Sequence, residues 1–139
     1  MANKIAGAAN WQATAEALSG RKCSVRFEQP ARAGVSGLFW RLRDTAVIQI
    51  SPELDEDTAL AVFLHEVGHA KMDWNSYKVW NYERPAQPAY TRKYLHSEDV
   101  VNLEERAQRQ ADIWLKACES CSTLFSKHLA LMLWSYFDS

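Results

Sequence analysis

Two histidines and a glutamate fall within the short segment HEVGH, at residues 65 to 69. On a helix, His65 and His69 would project from the same face one turn apart, so both imidazoles could bind one tetrahedral Zn²⁺ ion. Glu66 would lie to the side, where it could take a proton from a water that zinc has acidified. The pattern therefore predicts a zinc-dependent hydrolase with Glu66 as its catalytic base.

A catalytic zinc site also needs a third protein ligand and one open position. The residues after HEVGH lack the glycine and third histidine of a metzincin, since Met72 and Asn75 occupy those positions. The third ligand must therefore be another histidine or carboxylate. The candidates are Asp73, Glu83, His96, Glu98, Asp99, Glu104 and Glu105.

Helical phase favours Glu104 among these candidates. Residues 98 to 118 are predicted to form a long helix, and Glu104 is the one carboxylate in its core-facing stripe. A carboxylate there is costly unless it is paired or binds a metal. Glu105 lies on a more polar stripe and is the second choice, while the alternative for Glu104 is that it forms an ion pair with an arginine such as Arg106 or Arg109, or simply reaches solvent. The core-facing stripe consists of Val100, Glu104, Ala107, Ala111, Trp114 and Cys118.

The elements that must position these residues follow from periodicity and turn signals. Residues 8–19 are predicted to form a helix that ends at Gly20. Alternating apolar residues predict strands at 22–29, 38–43 and 46–50, with the last two joined as a tight hairpin. Three strands with short links indicate a small antiparallel sheet.

The rest of the chain is predicted to be mainly helical. Acidic residues and a proline mark the start of the helix that carries HEVGH, and its cap is Ser51, Asp55 or Asp57. A long loop covers 74–97, the helix with Glu104 follows, and an apolar helix covers 122–137. The expected fold is α+β: a small three-stranded antiparallel sheet packed against the HExxH helix, a second helix with the third ligand, and an apolar C-terminal helix. Residues 1–139 are expected to form a single zincin-like metallopeptidase domain.

Composition restricts the partners and the compartment. The net charge of −1 gives no support for binding to nucleic acid or to an anionic membrane. The chain start has no apolar leader, and the longest apolar run is too short to span a bilayer. Three cysteines without a signal peptide fit the cytoplasm, and the Cys118–Cys121 pair is interpreted as ordinary thiols.

Two motifs together resemble a known family. Strands precede a proline-started helix with HE-x-G-H, and a later helix contains Glu-x-x-Ala-x-x-x-Ala. This arrangement is similar to the ImmA/IrrE-type zinc metallopeptidases of bacteria and mobile elements, which belong with the minimal gluzincins. The family usually has a second glutamate and an aromatic residue in the later motif, where this chain has Arg106 and Gln110. The matching residues are His65, Glu66, Gly68, His69, Glu104, Ala107 and Ala111.

The resemblance implies a cytoplasmic zinc metalloendopeptidase that cleaves a protein substrate, such as a transcriptional repressor or another regulator. The alternative is a zincin-like binding module, from a phage or mobile element, that acts on a partner protein with little catalysis. Retention of Glu66 favours the enzyme, because a binding module has no need of a general base.

Several further roles complete the sequence-based hypothesis. His96 is the candidate catalytic donor to the oxyanion, with Tyr94 and Tyr90 as alternatives. Gly68 would be explained by close approach of another element. The strand at 38–43 could align a peptide substrate by strand addition. The apolar C-terminal helix is either buried or forms a homodimer contact.

Overall fold

The computed structural model describes residue 7 and residues 9–77, 79–81 and 97–138. The chain belongs to the α+β class, as predicted, and none of the described helices is long and apolar enough to cross a bilayer. The elements in order are α1 (Trp11–Ser19), β1 (Lys22–Phe27), β2 (Gly37–Leu42), β3 (Thr45–Ile50), α2 (Glu56–Met72), one 3₁₀ turn (Trp74–Ser76), β4 (Val79–Trp80), α3 (Ser97–Cys118) and α4 (Leu124–Asp138).

The sheet is mixed, with strand order β1-β3-β2-β4. The antiparallel β2–β3 hairpin is confirmed, but the expectation of a wholly antiparallel three-stranded sheet was wrong, because β1 runs parallel to β3 and β4 parallel to β2. Five consecutive residues of β3, from Ala46 to Ile50, are buried, so this strand takes the central position between β1 and β2. The two residues of β4 are too few to give a periodic signal in the sequence.

The two faces of the sheet have different coverings. On one face, Phe39, Ile48 and Ile50 belong to the main core, which they share with Trp11 of α1 and Phe63 of α2. The opposite face has a smaller apolar cluster: Leu38, Trp40 and Val47, with Ala31 and Leu42 against it. The helices therefore pack on one side of the sheet, and α2 lies directly against it.

Local capping sets the helix ends that the sequence indicated. The Asp55 carboxylate accepts the backbone N–H of Thr58 at 2.8 Å, which caps α2 and lowers the pKa of Asp55. Of the three caps considered, the structure uses this one. Gly20 ends α1 in the left-handed region at φ 70°, and its N–H donates to the Glu16 carbonyl.

The backbones of α2 and α3 meet at Gly68 and Ala107. A Cβ atom added at Gly68 would lie 2.7 Å from the Ala107 carbonyl oxygen and 3.1 Å from the Ala107 Cα. The structure thus confirms the close approach that was offered to explain this helical glycine. The contact brings Glu104, one turn earlier on α3, next to the histidines of α2.

We expect Gly68→Ala to destabilise the protein by about 1–2 kcal/mol, although alanine favours a helix by about 1 kcal/mol over glycine. The added methyl would collide with backbone atoms of α3, which cannot move aside without shifting the whole helix. Chemical denaturation measures the change. Gly7→Ala is the control, because nothing lies within 4 Å of a Cβ added there. A Gly68→Ala protein as stable as wild type would contradict the contact.

His128 of α4 is buried against α1. His128 Nδ1 forms a hydrogen bond of 2.7 Å with the Thr14 hydroxyl, whose oxygen also lies 3.0 Å from the Asn10 carbonyl oxygen. Its ring lies edge-on to Trp11, and Nε2 has no hydrogen-bond partner among the described residues. Burial therefore lowers the pKa of His128 to about 4.

This pKa predicts that the protein loses stability in mild acid. Unfolded chains bind a proton at His128 below about pH 6.5, whereas the folded chain binds it only near pH 4. The free energy of unfolding should fall by up to about 3 kcal/mol from His128 as the pH drops from 6.5 to 4. Denaturation of wild type and His128→Phe across this range isolates the effect. Equal slopes for the two proteins would contradict it.

Candidate metal centre

Three side chains from two helices converge on one point. His65 and His69 lie one turn apart on α2, with their Nε2 atoms 3.1 Å from each other. Glu104 on α3 reaches both: Oε1 lies 3.0 Å from His65 Nε2, and Oε2 lies 3.2 Å from His69 Nε2. Helical phase alone had selected this glutamate, and the structure places it beside both histidines.

The donor set and its spacing fit a small divalent cation. Two imidazoles and one carboxylate are ligands that zinc accepts in catalytic sites. Ligands about 2.0–2.1 Å from a tetrahedral ion lie roughly 3.3 Å from one another. The three observed separations, 3.0 to 3.2 Å, are close to that value. His65, His69 and Glu104 could therefore hold a metal ion without a rearrangement of either helix.

A side-chain amide orients His65. Gln108 Oε1 lies 2.8 Å from His65 Nδ1, and Gln108 Nε2 donates to Asp112 Oδ1, also at 2.8 Å. The amide is thereby fixed as an acceptor, which favours a proton on Nδ1 and leaves the Nε2 lone pair, beside Glu104 and His69, to bind a cation. From the sequence alone, Gln108 and Asp112 belonged only to the more polar stripe of this helix. The spacing could have indicated the role of Gln108, because this residue lies one turn after Glu104 on the same helix.

A buried carboxylate orients His69. Asp73 Oδ2 lies 3.3 Å from His69 Nδ1, and the Asp73 side chain is fully buried. Arg106 donates to Asp73 Oδ1 through Nη2 at 2.7 Å and Nε at 3.1 Å. Asp73, one of the candidate ligands, thus lies behind the histidine rather than at the centre. Arg106 pairs with this aspartate and not with Glu104, which removes one alternative for the glutamate.

The carboxylates make the point between the histidines attractive to a cation. Burial alone would lower the pKa of His69, but Asp73 and Glu104 together raise it to about 9. The hydrogen bond with Glu104 also raises the pKa of His65. Both pKa shifts favour positive charge on the imidazole rings, and a metal ion bound at the Nε2 atoms would compete with protons there.

The three side chains lie in a cleft of about 630 Å³. One wall is the start of β2 with the loop before it, and the other is α2, including Glu66. Gly37 brings these walls together, because a Cβ there would collide with Val62 and lie 3.2 Å from the Glu66 Cγ. Gly37 was missed at the level of sequence, because it stood in a turn-rich loop without a distinguishing signal. The lining residues are Arg32, Val35, Ser36, Gly37, Leu38, Phe39, Ala61, Val62, His65, Glu66, His69, Tyr77, Glu104 and Gln108.

Of the remaining candidates that the structure describes, Glu105 does not join this group. The Glu105 side chain is 58% exposed, and its Oε2 lies 3.9 Å from Arg109 Nη1, so it points away from the histidines. Arg109, the other arginine proposed to pair with Glu104, therefore pairs with Glu105. The described structure does not include His96, the candidate oxyanion donor. The same holds for Tyr90, Tyr94 and Glu83 and for the side chains of Glu98 and Asp99.

The cysteines are all free thiols, in agreement with their interpretation from the sequence. Cys23 and Cys118 are buried, and burial raises the pKa of both, to about 11 for Cys23. Neither is therefore a thiolate near neutral pH, and Cys118-x-x-Cys121 lies away from the cleft residues.

Comparison with known proteins gives no match: no family model, no curated protein and no solved structure matches the chain. The functional argument therefore depends on the residues and their geometry. The resemblance to the ImmA/IrrE-type peptidases stays a prediction from two motifs.

Asp73→Asn should weaken zinc binding by about 10–100-fold, the usual effect of removing a group that orients a ligating histidine. The asparagine keeps the shape but loses the charge that holds the His69 ring and Arg106. Competition with a chromophoric chelator measures the affinity. Glu105→Gln is the matched control, since it removes an exposed carboxylate beside Glu104 and should leave the affinity unchanged. Equal affinities for Asp73→Asn and wild type would show that Asp73 has no such role.

Proposed function

We propose that this protein is a zinc-dependent metalloendopeptidase that hydrolyses a peptide bond in a protein substrate. The observation that carries the proposal is the convergence of His65, His69 and Glu104 in a cleft that Glu66 also lines. Zinc, when bound there, would supply Lewis acidity for the attacking water and the scissile carbonyl.

The position of Glu66 suits a general base. It follows His65 directly on α2, so it lies beside the metal ligands instead of among them, and it faces the cleft next to Gly37. In the proposed reaction the Glu66 carboxylate takes the proton of the attacking water. It then delivers that proton to the nitrogen of the leaving amine. The retained base supports an enzyme over the alternative, a zincin-like module that only binds a partner.

The cleft wall supports an extended polypeptide as the substrate. β4 pairs with β2 only at Arg41 and Leu42, so residues 37–40 have no described strand on that side. Their backbone N–H and C=O groups could pair with a peptide that enters the cleft, as expected for this strand from its sequence. Strand addition would place a substrate backbone alongside Glu66 and the metal ligands.

The proposed biological setting follows from the resemblance to ImmA/IrrE-type peptidases. In that setting the substrate is a transcriptional repressor or another regulator, and the compartment is the cytoplasm. The three free cysteines support a reducing compartment. The divergent later motif does not count against the site, because Glu104 lies beside both histidines and Arg106 makes a contact of its own with Asp73.

Glu66→Gln should abolish peptide hydrolysis while leaving zinc binding intact. The amide cannot take a proton from water, so cleavage should fall by about 100–10,000-fold. A proteome-derived peptide library, incubated with zinc-loaded protein and analysed by mass spectrometry, presents many sequences at once, so the natural target need not be identified first. A Glu66→Gln protein that cleaves the same peptides as fast as wild type would contradict the mechanism.

Zinc content by elemental analysis separates the metal site from the catalysis. Wild type purified without chelator should hold about one zinc per chain, and His69→Ala and Glu104→Ala should lose it. Glu105→Ala is the matched control and should keep its zinc. Wild type that takes up no zinc when the ion is supplied would overturn the proposed function altogether.

A further inference from the structure

The outward face of α4 is made of large apolar side chains. Six of them are between 36% and 79% exposed to solvent. Among the described side chains of α4, Lys127 reaches Asp57 at 3.3 Å, and the neutral His128 is buried, so neither lies on this face. The contiguous apolar face of α4 differs from Val101 and Ile113 of α3, which are exposed singly, as apolar residues on protein surfaces often are. The apolar face consists of Phe125, Leu129, Met132, Leu133, Tyr136 and Phe137.

Four members of this apolar face form one row with a symmetric order. Phe125, Leu129, Leu133 and Phe137 follow each other at intervals of four, which produces a single ridge along a helix. The ridge reads Phe-Leu-Leu-Phe in either direction, with its midpoint at Leu131. A second, antiparallel copy would therefore set Leu129 against Leu133 and Phe125 against Phe137.

We propose that the apolar face of α4 is the interface of a two-fold symmetric homodimer, in which α4 of one copy packs antiparallel on α4 of the other. A two-fold interface uses the same surface on both copies, so it must complement itself. A ridge that reads the same in both directions meets this condition, and the lack of charge on the face avoids repulsion between copies. This proposal does not depend on the peptidase activity.

The size of the apolar face agrees with a stable dimer. At the observed exposures, six large side chains present roughly 600 Å² per copy, or about 1,200 Å² for a pair, which reaches the range of specific interfaces. A membrane surface is the less suitable occupant. Helices that lie on membranes usually have several Lys or Arg residues on the polar face, whereas α4 has one lysine, and it reaches Asp57.

The cleft would stay accessible in such a dimer. None of the described residues that line it belongs to α4. Substitutions on the apolar face should therefore change the association of the chains without changing the metal centre. This separation allows association and zinc content to be measured on the same variants.

Sedimentation equilibrium between about 1 and 100 µM tests the interface. Wild type should be a dimer, and both Leu133→Glu and Leu129→Lys should be monomers with unchanged zinc content. Each substituted residue is already partly exposed, so the folded monomer tolerates it. Ile113→Glu, at a similarly exposed apolar position on α3, is the matched control and should remain a dimer.

Mixing the two monomeric variants tests the antiparallel register. In that register the glutamate introduced at 133 of one copy faces the lysine introduced at 129 of the other, while the remaining pair is still Leu–Leu. The mixture should therefore recover dimers that neither variant forms alone. Wild type that is monomeric at the highest concentration, a dimeric Leu133→Glu protein, or a mixture that stays monomeric would each overturn the proposal.

Discussion

The contact between Gly68 and Ala107 is the constraint on which the rest of the site depends. Glu104 is on a different helix from the histidines, so its distance from them is set by how closely α2 and α3 approach. A side chain at Gly68 would separate these helices and move the carboxylate away from both Nε2 atoms. The glycine destabilises α2 by about 1 kcal/mol relative to alanine, but a residue with a Cβ atom at this position would collide with Ala107 of α3.

The two histidines are held in different ways. His69 is 2% exposed and has the buried, charged Asp73 behind it, whereas His65 is half-buried and is oriented by the neutral amide of Gln108. A carboxylate behind an imidazole increases its basicity more than an amide does. His69 is therefore the stronger donor of the pair, and His65 is the one nearer to the solvent-accessible part of the cleft.

Local periodicity accounts for what the sequence could predict. Helix α3 was expected at residues 98–118 and is observed at Ser97–Cys118. The helical phase that favoured Glu104 over Glu105 as a ligand agrees with the position of Glu104 beside the histidines. The same kind of reasoning failed for the sheet, because the order of strands depends on contacts between distant parts of the chain. Periodicity within β1 indicates which side chains are buried but not that its neighbour is β3.

Pairs of residues from separate elements were equally hard to foresee. Gly37 was predicted to lie in a loop. The reason for a glycine there is evident only from the structure, in which the start of β2 packs closely against Val62 and Glu66 of α2. Arg106 was treated as a departure from the expected motif and as a partner for Glu104. Its guanidinium instead reaches Asp73, 33 residues earlier in the chain, which no pattern within a single helix could reveal.

The Asp73–Arg106 pair has a consequence for how such sites vary between sequences. A glutamate in place of Arg106 would set two carboxylates against each other in a buried position, so it would be tolerated only together with a basic or neutral residue at 73. The two positions should thus vary together, because they cannot both be carboxylates.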